Sequence, residues 1–490
     1  MNLAAIIEGH AGDGVAVVDR DGSLTYRDLR RAVAGVRGAL SSAGVHSGDR
    51  VVLVAANRAD FVIAHLAILG VGAVTVPLNP TSPPAEMKDQ FAIVEPVAAI
   101  VGAGASLAPA VADGLRLVLD HDGLAVARSG PEAPMADRAP GDLAVLMFTA
   151  GTAGAPKAAM LTHGNLLANI AQAQAHPGQT LTGDDVVLGV LPLFHIFGLT
   201  VVLGVTLAAG GTIVMEERFE PSDAFSLIDA HEVTVLVGAP PLFAMLASAP
   251  VADGTNPLAS VRLALSGAAP LAAGVARAFA ARFGVEVHQG YGLTEASPVV
   301  TASPIAAGAR PRHGSIGVPV PGVDVRLVDE DGEDAYVGDP GEIWVRGANV
   351  FLGYWRDEAA TRSVLTPDGW LRTGDIAVAG EDGLLQIVDR AKDLIIVSGF
   401  NVSPAEVEEA LREHPDVVDV AVVGVPDDRT GEAVKAVVVA APGASPGVAE
   451  LSRFCADRLA RYKCPTQVSL APELPLGLAG KVLRRRLRSA

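Results

Sequence analysis

Phe148-Thr149-Ala150-Gly151-Thr152-Ala153-Gly154-Ala155-Pro156-Lys157 is the densest chemical signal in the chain. Glycines at Gly151 and Gly154 let backbone N–H groups close on an anion, Thr149 and Thr152 add hydroxyl donors, and Lys157 supplies a mobile positive charge. Such a loop cradles phosphate or forms an ordinary surface turn. The G-x-x-x-x-G-K-[ST] spacing of a P-loop nucleotidase is absent from it. Thr294-Glu295 pairs a hydroxyl with a carboxylate, the oxygen chemistry a hard Mg2+ ion prefers, although a solvated loop glutamate reads the same way. Tyr291, inside Gln289-Gly290-Tyr291-Gly292, offers either an aromatic face for a base or a core side chain. Asp375 follows a Thr-Gly turn and can accept hydrogen bonds from a diol; a Gly-Asp pair alone is only a turn. His195, taken as the end of an apolar strand, is by itself a structural residue. Lys481 belongs either to a catalytic loop or to a solvated basic tail with Arg484, Arg485, Arg486 and Arg488.

The elements that must carry these residues follow from periodicity. Leu29, Val33, Val36 and Leu40 keep helical spacing from Thr25 to Gly44, and Arg50–Val54 reads as a strand. Helix Phe61–Leu69, strands Ala73–Val76 and Val97–Val101, and the run Val235–Val237 continue the alternation. Short β-branched runs separated by helices require a parallel sheet covered on both faces. The fold class is therefore α/β, a large N-terminal domain with doubly wound sheets. Between 310 and 388 the texture turns Gly- and Pro-rich with alternating strands such as Val323–Val328 and Glu342–Val345, which predicts a small antiparallel, β-barrel-like unit. Past Asp389, Ser403-Pro404-Ala405-Glu406 reads as a capped helix start, followed by strands over Val417–Val423 and Val434–Val439 and a helix over Leu451–Leu459: an α+β C-terminal domain. The expected division is 1–388, a hinge at 389–393, and 394–490.

Composition narrows the function class. The chain has 490 residues, a net charge of −18, half of its residues hydrophobic and two cysteines. That length predicts several cores rather than a disulfide-stapled scaffold, and the apolar fraction excludes disorder. Cys455 and Cys464 make neither a zinc cluster nor a disulfide framework, so a cytoplasmic location is expected. The acidic balance argues against a nucleic-acid partner. Met1–Asp13 lacks the pattern of a signal peptide. The uncharged run Ile196–Val214 is long enough for a membrane span, but its glycines and threonines favour a buried helix followed by a strand.

Together these motifs resemble the adenylate-forming superfamily of acyl-CoA synthetases, peptide-synthetase adenylation domains and luciferases. The matches keep the family's order: the Phe148–Lys157 loop, Leu191-Pro192-Leu193-Phe194-His195, Ser266-Gly267-Ala268-Ala269-Pro270, Gln289–Glu295, Trp370–Asp375, Asp389-Arg390-Ala391-Lys392-Asp393, Ser398–Val402 and Gly480-Lys481. The resemblance implies a large N-terminal domain, a hinge and a mobile C-terminal domain. It implies ATP, Mg2+ and coenzyme A as reactants and cofactor. It assigns ATP or AMP binding to Thr149, Gly151, Thr152, Gly154, Lys157, Gly267, Ala268, Ala269, Gln289, Gly290, Tyr291, Gly292, Thr294, Asp375 and Arg390, and metal binding to Thr149 and Glu295. Lys481, His195 and Lys157 become the catalytic set, and Lys392 the pivot. His195, Phe197, Gly198, Val237, Gly238, Gly267, Gly292 and Val299 become the acyl pocket, and Ser398, Gly399 and Phe400 the thiol channel.

The implied activity is an AMP-forming acid–thiol ligase. No aspartate follows Phe194 to pair with an amino group, and no Arg or Lys lies nearby to anchor a second carboxylate. A medium- or long-chain fatty acid is therefore the expected substrate, with an aryl acid of the hydroxycinnamate kind as the alternative. Two further alternatives are an acyl-AMP ligase that loads a carrier protein and a non-catalytic acyl or nucleotide sensor. A monomer or homodimer is expected. Ala150 stands where the family often has serine, and the hydroxyl before Gly480-Lys481 is missing from Leu476–Ala479.

Overall fold

A computed structural model describes the chain except residues 150–155, 253, 270, 272, 306–310, 330, 391–394, 403, 476–486 and 489–490, and gives backbone alone at 109, 110, 388–390, 401, 405 and 409. Two compact units emerge. The first comprises Met1–Pro80, Val94–Met147 and Ala158–Asp389; the second comprises Thr81–Ile93, Phe148–Lys157 and Arg390–Ala490.

The first unit is built on two largely parallel sheets. One has six strands in the order Leu117–Leu119, Ala98–Val101, Arg50–Val54, Val74–Leu78, Leu143–Thr149, Lys157–Thr162. Val51, Val52, Leu53 and Val54 are all fully buried, as a strand covered on both faces demands. The other has nine strands, and its parallel centre runs Val287–Gly292, Leu263–Ser266, Val235–Gly238, Val186–Gly189, Thr212–Met215, Val15–Asp19. Antiparallel strands flank that centre on both sides. Helix Tyr26–Ser42 starts where predicted, because the Thr25 hydroxyl accepts from the Asp28 N–H while Asp28 reaches back to the Thr25 N–H.

Ile196–Val214 resolves into a π-helix over Phe197–Val205, one α-helical turn over Thr206–Ala209, and the central strand Thr212–Met215. Gly210, at φ +80°, makes the left-handed turn between helix and strand. No helix among the described residues is long and apolar enough to cross a membrane. The β-rich segment forms a four-stranded antiparallel sheet, Val323–Val328, Pro340–Gly347, Leu371–Ala379, Leu385–Arg390.

In the second unit, strands Phe400–Val402, Ile395–Val397, Gly431–Ala440 and Val417–Asp427 pair in that order, and Gln467–Leu470 adds to Gly431–Ala440. Helices Pro404–Arg412 and Val448–Ala456 bury Val407, Leu411, Leu451 and Cys455 against the sheet. Pro404 opens its helix as expected, and Ser403 lies outside the described residues. An ion cluster joins the Thr81–Ile93 segment of this unit to its C-terminal segment. Lys463 Nζ donates to Glu86 at 2.9 Å and to Glu406 at 2.8 Å, and Glu86 also accepts the Ala460 N–H at 3.1 Å.

Candidate active site

Three neighbouring parallel strands end together. Gly238 pairs with Ser266, and Ser266 with Gln289, so Val237-Gly238, Gly267-Ala268-Ala269 and Gly290-Tyr291-Gly292 emerge from the carboxyl edge of one sheet. In parallel sheets that edge is where ligands bind. Packing explains the glycines. A Cβ on Gly267 would lie 2.9 Å from the Phe197 ring, one on Gly292 2.1 Å from the Pro298 carbonyl oxygen, and one on Gly198 2.3 Å from the Pro192 carbonyl oxygen. Ala268 holds φ +68°, a left-handed conformation that costs an L-residue about 1–2 kcal/mol. Gln289 is buried and its Oε1 accepts the Leu271 N–H at 3.0 Å, so its side chain holds the backbone at Leu271. The Ser266 hydroxyl, which the sequence did not single out, is buried with no hydrogen-bond partner among the described residues.

Two tyrosine–carboxylate pairs organise the edge. Tyr291 donates its phenol to Asp375 Oδ2 at 2.7 Å and is itself 9% exposed, which joins two of the nucleotide candidates across 84 positions. Asp375 is presented by strand Leu371–Ala379: its N–H donates to Thr373 Oγ1 at 3.1 Å, and the Gly374 N–H donates to Glu342 at 2.9 Å. A carboxylate has about four acceptor positions, and the phenol takes one of them.

Glu295 accepts from the Tyr354 phenol at 2.6 Å, and its backbone carbonyl accepts the Phe351 N–H at 2.9 Å. Burial and the Glu295 charge both push the Tyr354 phenol well above its ordinary value, which keeps it a donor. Phe351 meets the Tyr354 ring edge to face at 5.0 Å. Tyr354 escaped the sequence reading; its only signal is the aromatic run Phe351-Leu352-Gly353-Tyr354-Trp355. Glu295 offers the oxygen chemistry Mg2+ prefers. No group of three or more His, Cys, Asp or Glu side chains suited to a metal occurs among the described residues.

His195 corrects one expectation. It lies in a turn well beyond strand Val186–Gly189, just before the π-helix, and does not end a strand. The apolar residues Leu191 and Leu193 look strand-like in sequence, yet the chain turns there because the His195 N–H donates back to the Pro192 carbonyl. The Phe197 N–H donates to His195 Nδ1 at 3.3 Å, which leaves the proton of a neutral ring on Nε2. Desolvation lowers the His195 pKa to about 4, so the ring is a neutral donor near pH 7. That suits orienting a ligand oxygen, not shuttling protons. Val299, the remaining pocket candidate, accepts at its carbonyl from Asn169 and donates its N–H to the same side chain. Thr294 is buried beside Glu295 in a single 3-10 turn.

The second unit carries the other candidates. Thr149 ends one strand and Lys157 begins the next, and the Thr149 hydroxyl reaches the Lys157 carbonyl at 3.5 Å. Between them, Gly151, Thr152 and Gly154 lie outside the described residues, as do Lys392 and Lys481, and Arg390 is described by its backbone alone. Ser398 and Gly399, at φ +52° and +85°, form the two-residue turn of the hairpin Ile395–Val397/Phe400–Val402. Phe400 stacks on Tyr462 with ring centroids 4.4 Å apart.

Comparison with known proteins gives this geometry its class. The family model described as "AMP-binding enzyme" matches residues 4–355, and that of the "AMP-binding enzyme C-terminal domain" matches 406–481. The chain belongs to the AMP-binding enzymes, the adenylate-forming superfamily of acyl-CoA synthetases. It is an enzyme of the acid–thiol ligase class. It is 43% identical over 347 residues to a long-chain-fatty-acid–CoA ligase of Bacillus subtilis (strain 168), a match that spans 71% of this chain and 61% of that relative. A feruloyl-CoA synthase of an Amycolatopsis species is 38% identical over 95% of this chain and 94% of its own length. Among solved structures, a malonyl-CoA ligase in a ternary product complex with methylmalonyl-CoA and AMP superposes with a TM-score of 0.86 at 34% identity, covering 96% of this chain and 99% of that one.

Proposed function

We propose that this enzyme activates an apolar carboxylic acid, a medium- or long-chain fatty acid, with MgATP and passes the acyl group to coenzyme A. The Tyr291–Asp375 pair carries the reading: it joins an aromatic face suited to adenine to a carboxylate suited to ribose, at a sheet edge lined by small residues. In the first half-reaction the substrate carboxylate attacks the α-phosphorus and pyrophosphate departs, leaving acyl-AMP. In the second the thiolate of coenzyme A attacks the acyl carbonyl and AMP departs; no protein nucleophile is required.

Roles follow residue types. Tyr291 stacks the base over the Gly267–Ala269 backbone, Asp375 and Arg390 hold the ribose, and Thr149, Gly151, Thr152, Gly154 and Lys157 hold phosphate oxygens. Glu295, held by Tyr354, and Thr149 supply oxygens to Mg2+, which when bound offsets phosphate charge. Lys481 stabilises the negative charge that redistributes as the carboxylate attacks. His195 orients the carboxylate through Nε2–H. Lys392 is the pivot, and Ser398, Gly399 and Phe400 border the thiol path. Val237, Gly238, Phe197, Gly198, Gly267, Gly292 and Val299 give the acyl site apolar and small walls, which supports an uncharged tail. An aryl acid is the second reading, favoured by the flat Phe197 ring set against Gly267.

The purified enzyme, incubated with MgATP, coenzyme A and acids from acetate through palmitate plus coumarate, should yield acyl-CoA and AMP fastest with the longer fatty acids by mass spectrometry. A coumarate optimum moves the assignment to the aryl reading, and acyl-AMP without thioester sinks coenzyme A as acceptor. Lys481→Ala should abolish most adenylation while thioester formation from supplied acyl-AMP persists; equal loss of both steps removes Lys481 from its role.

A further inference from the structure

An open groove of about 310 Å3 on the first unit, away from the sheet edge described above, is lined by Arg27, Arg30, Arg31 and Arg37. All four project from helix Tyr26–Ser42 at positions i, i+3, i+4 and i+10, one stripe of that helix. Like charges at such spacing oppose one another, and none of the four forms an ion pair with a carboxylate among the described residues. Most other arginines of this chain do, including Arg58, Arg128 and Arg262. The inner pair is oriented by backbone. Arg30 donates to the Ile7 carbonyl at 3.0 Å, and Arg37 Nε donates to the Ala133 carbonyl at 2.6 Å. Glycines give the guanidinium groups room: a Cβ on Gly12 would come within 3.1 Å of Arg27, and one on Gly70 within 3.0 Å of Arg37.

We propose that this groove binds a phosphate-bearing anion. Glu8 and Glu132 also line it and interact with Arg37, and Asp28 interacts with Arg27 and Arg31, so three of the four positive charges are offset and the groove keeps a net positive charge. Guanidinium forks donate paired hydrogen bonds to phosphate oxygens, and four of them exceed what a single carboxylate can use. Arg27 and Arg31 are exposed and face the incoming ligand, while Ile7 and Val33 give the floor an apolar character that also suits the neck of a phospholipid headgroup. The class of ligand is thus a free oligophosphate or a lipid phosphate.

The test compares the full-length enzyme with its Arg27→Glu/Arg31→Glu variant. Inorganic pyrophosphate is titrated by calorimetry, and flotation uses vesicles of equal parts phosphatidylglycerol and phosphatidylcholine against phosphatidylcholine alone. The wild type should show a site for one of these probes that the variant binds about tenfold more weakly, a loss of about 1.4 kcal/mol. Pyrophosphate held elsewhere is common to both proteins and cancels in the comparison. Loss confined to pyrophosphate identifies a free phosphate ligand; loss confined to the anionic vesicles identifies a lipid. The variant's adenylation rate without probe should match the wild type. Should charge reversal disturb folding, Arg27→Gln/Arg31→Gln gives the same reading. Binding of neither probe by the wild type, or equal binding by both proteins, overturns the proposal.

Discussion

Tyr354 and Tyr291 do the same thing for different carboxylates: each hands a phenolic proton to an acid that the sequence marks as functional. A hydrogen bond to a charged group contributes about 1.5–3 kcal/mol, enough to fix a rotamer before substrate arrives. Removing the Tyr354 hydroxyl therefore should loosen Glu295 without removing its charge. Tyr354→Phe is expected to raise the Mg2+ concentration for half-maximal adenylation several-fold while kcat at saturating Mg2+ changes little, as read from metal titrations of pyrophosphate release. An unshifted titration would mean that Glu295 does not act on the metal through this pair. The geometry also explains why Tyr354 went unread: 59 positions separate it from its partner, and nothing local in Gly353-Tyr354-Trp355 announces a carboxylate.

Glycine decides how closely neighbouring elements approach at the sheet edge, and the two glycines there differ. The Cβ of Gly292→Ala would strike a backbone carbonyl at 2.1 Å, which cannot move without shifting strand Val299–Ala302; about 1–3 kcal/mol of stability should be lost in urea unfolding. Gly141→Ala, with open space around it, serves as the reference. Gly267→Ala presses closely only on the Phe197 ring, a side chain able to turn, and meets the Gly290 carbonyl at ordinary contact distance, so stability should hold and the acid panel should shift toward smaller substrates. Unchanged acid preference would place the acyl group elsewhere. In the second unit Lys463 bridges the buried Glu86 and the half-buried Glu406, and Lys463→Met would leave the two carboxylates without the cation between them. Breaking such a cluster costs about 3–5 kcal/mol, measurable as a lower urea midpoint. Helix Pro404–Arg412 was legible from its Ser-Pro-x-Glu start; that Glu406 also accepts from Lys463 was not.

Across the first unit, three histidines set a common acid limit. His65 is lowered to about 3 and His163 and His195 to about 4, each chiefly by desolvation. In the unfolded chain these rings titrate near 6.5, so between about pH 6.5 and 4 the unfolded state binds more protons than the folded state. Stability is therefore complete above about pH 6.5 and falls as the pH drops through this window. The slope is about 1.4 kcal/mol per pH unit for each of the buried His65 and His163. Urea midpoints measured from pH 7.5 to 4.5 should decline, and His65→Leu/His163→Gln should flatten the decline; a flat wild-type profile would contradict the desolvated state of these rings.

Short-range features of this protein were readable because neighbours in sequence produce them. β-branched runs specify strands, Thr25 and Pro404 start helices, and the ordered motifs carry the family resemblance. What escaped that reading depends on groups far apart in the chain. The grouping of Thr81–Ile93 with the C-terminal segment rests on Glu86 meeting Lys463, and the turn at His195 on a backbone hydrogen bond that an apolar pattern does not encode. The tyrosine–carboxylate pairs likewise arise only when separate strands and loops pack to atomic contact. Local propensity acts over a few residues, whereas burial, desolvation and hydrogen-bond pairing are properties of the folded volume.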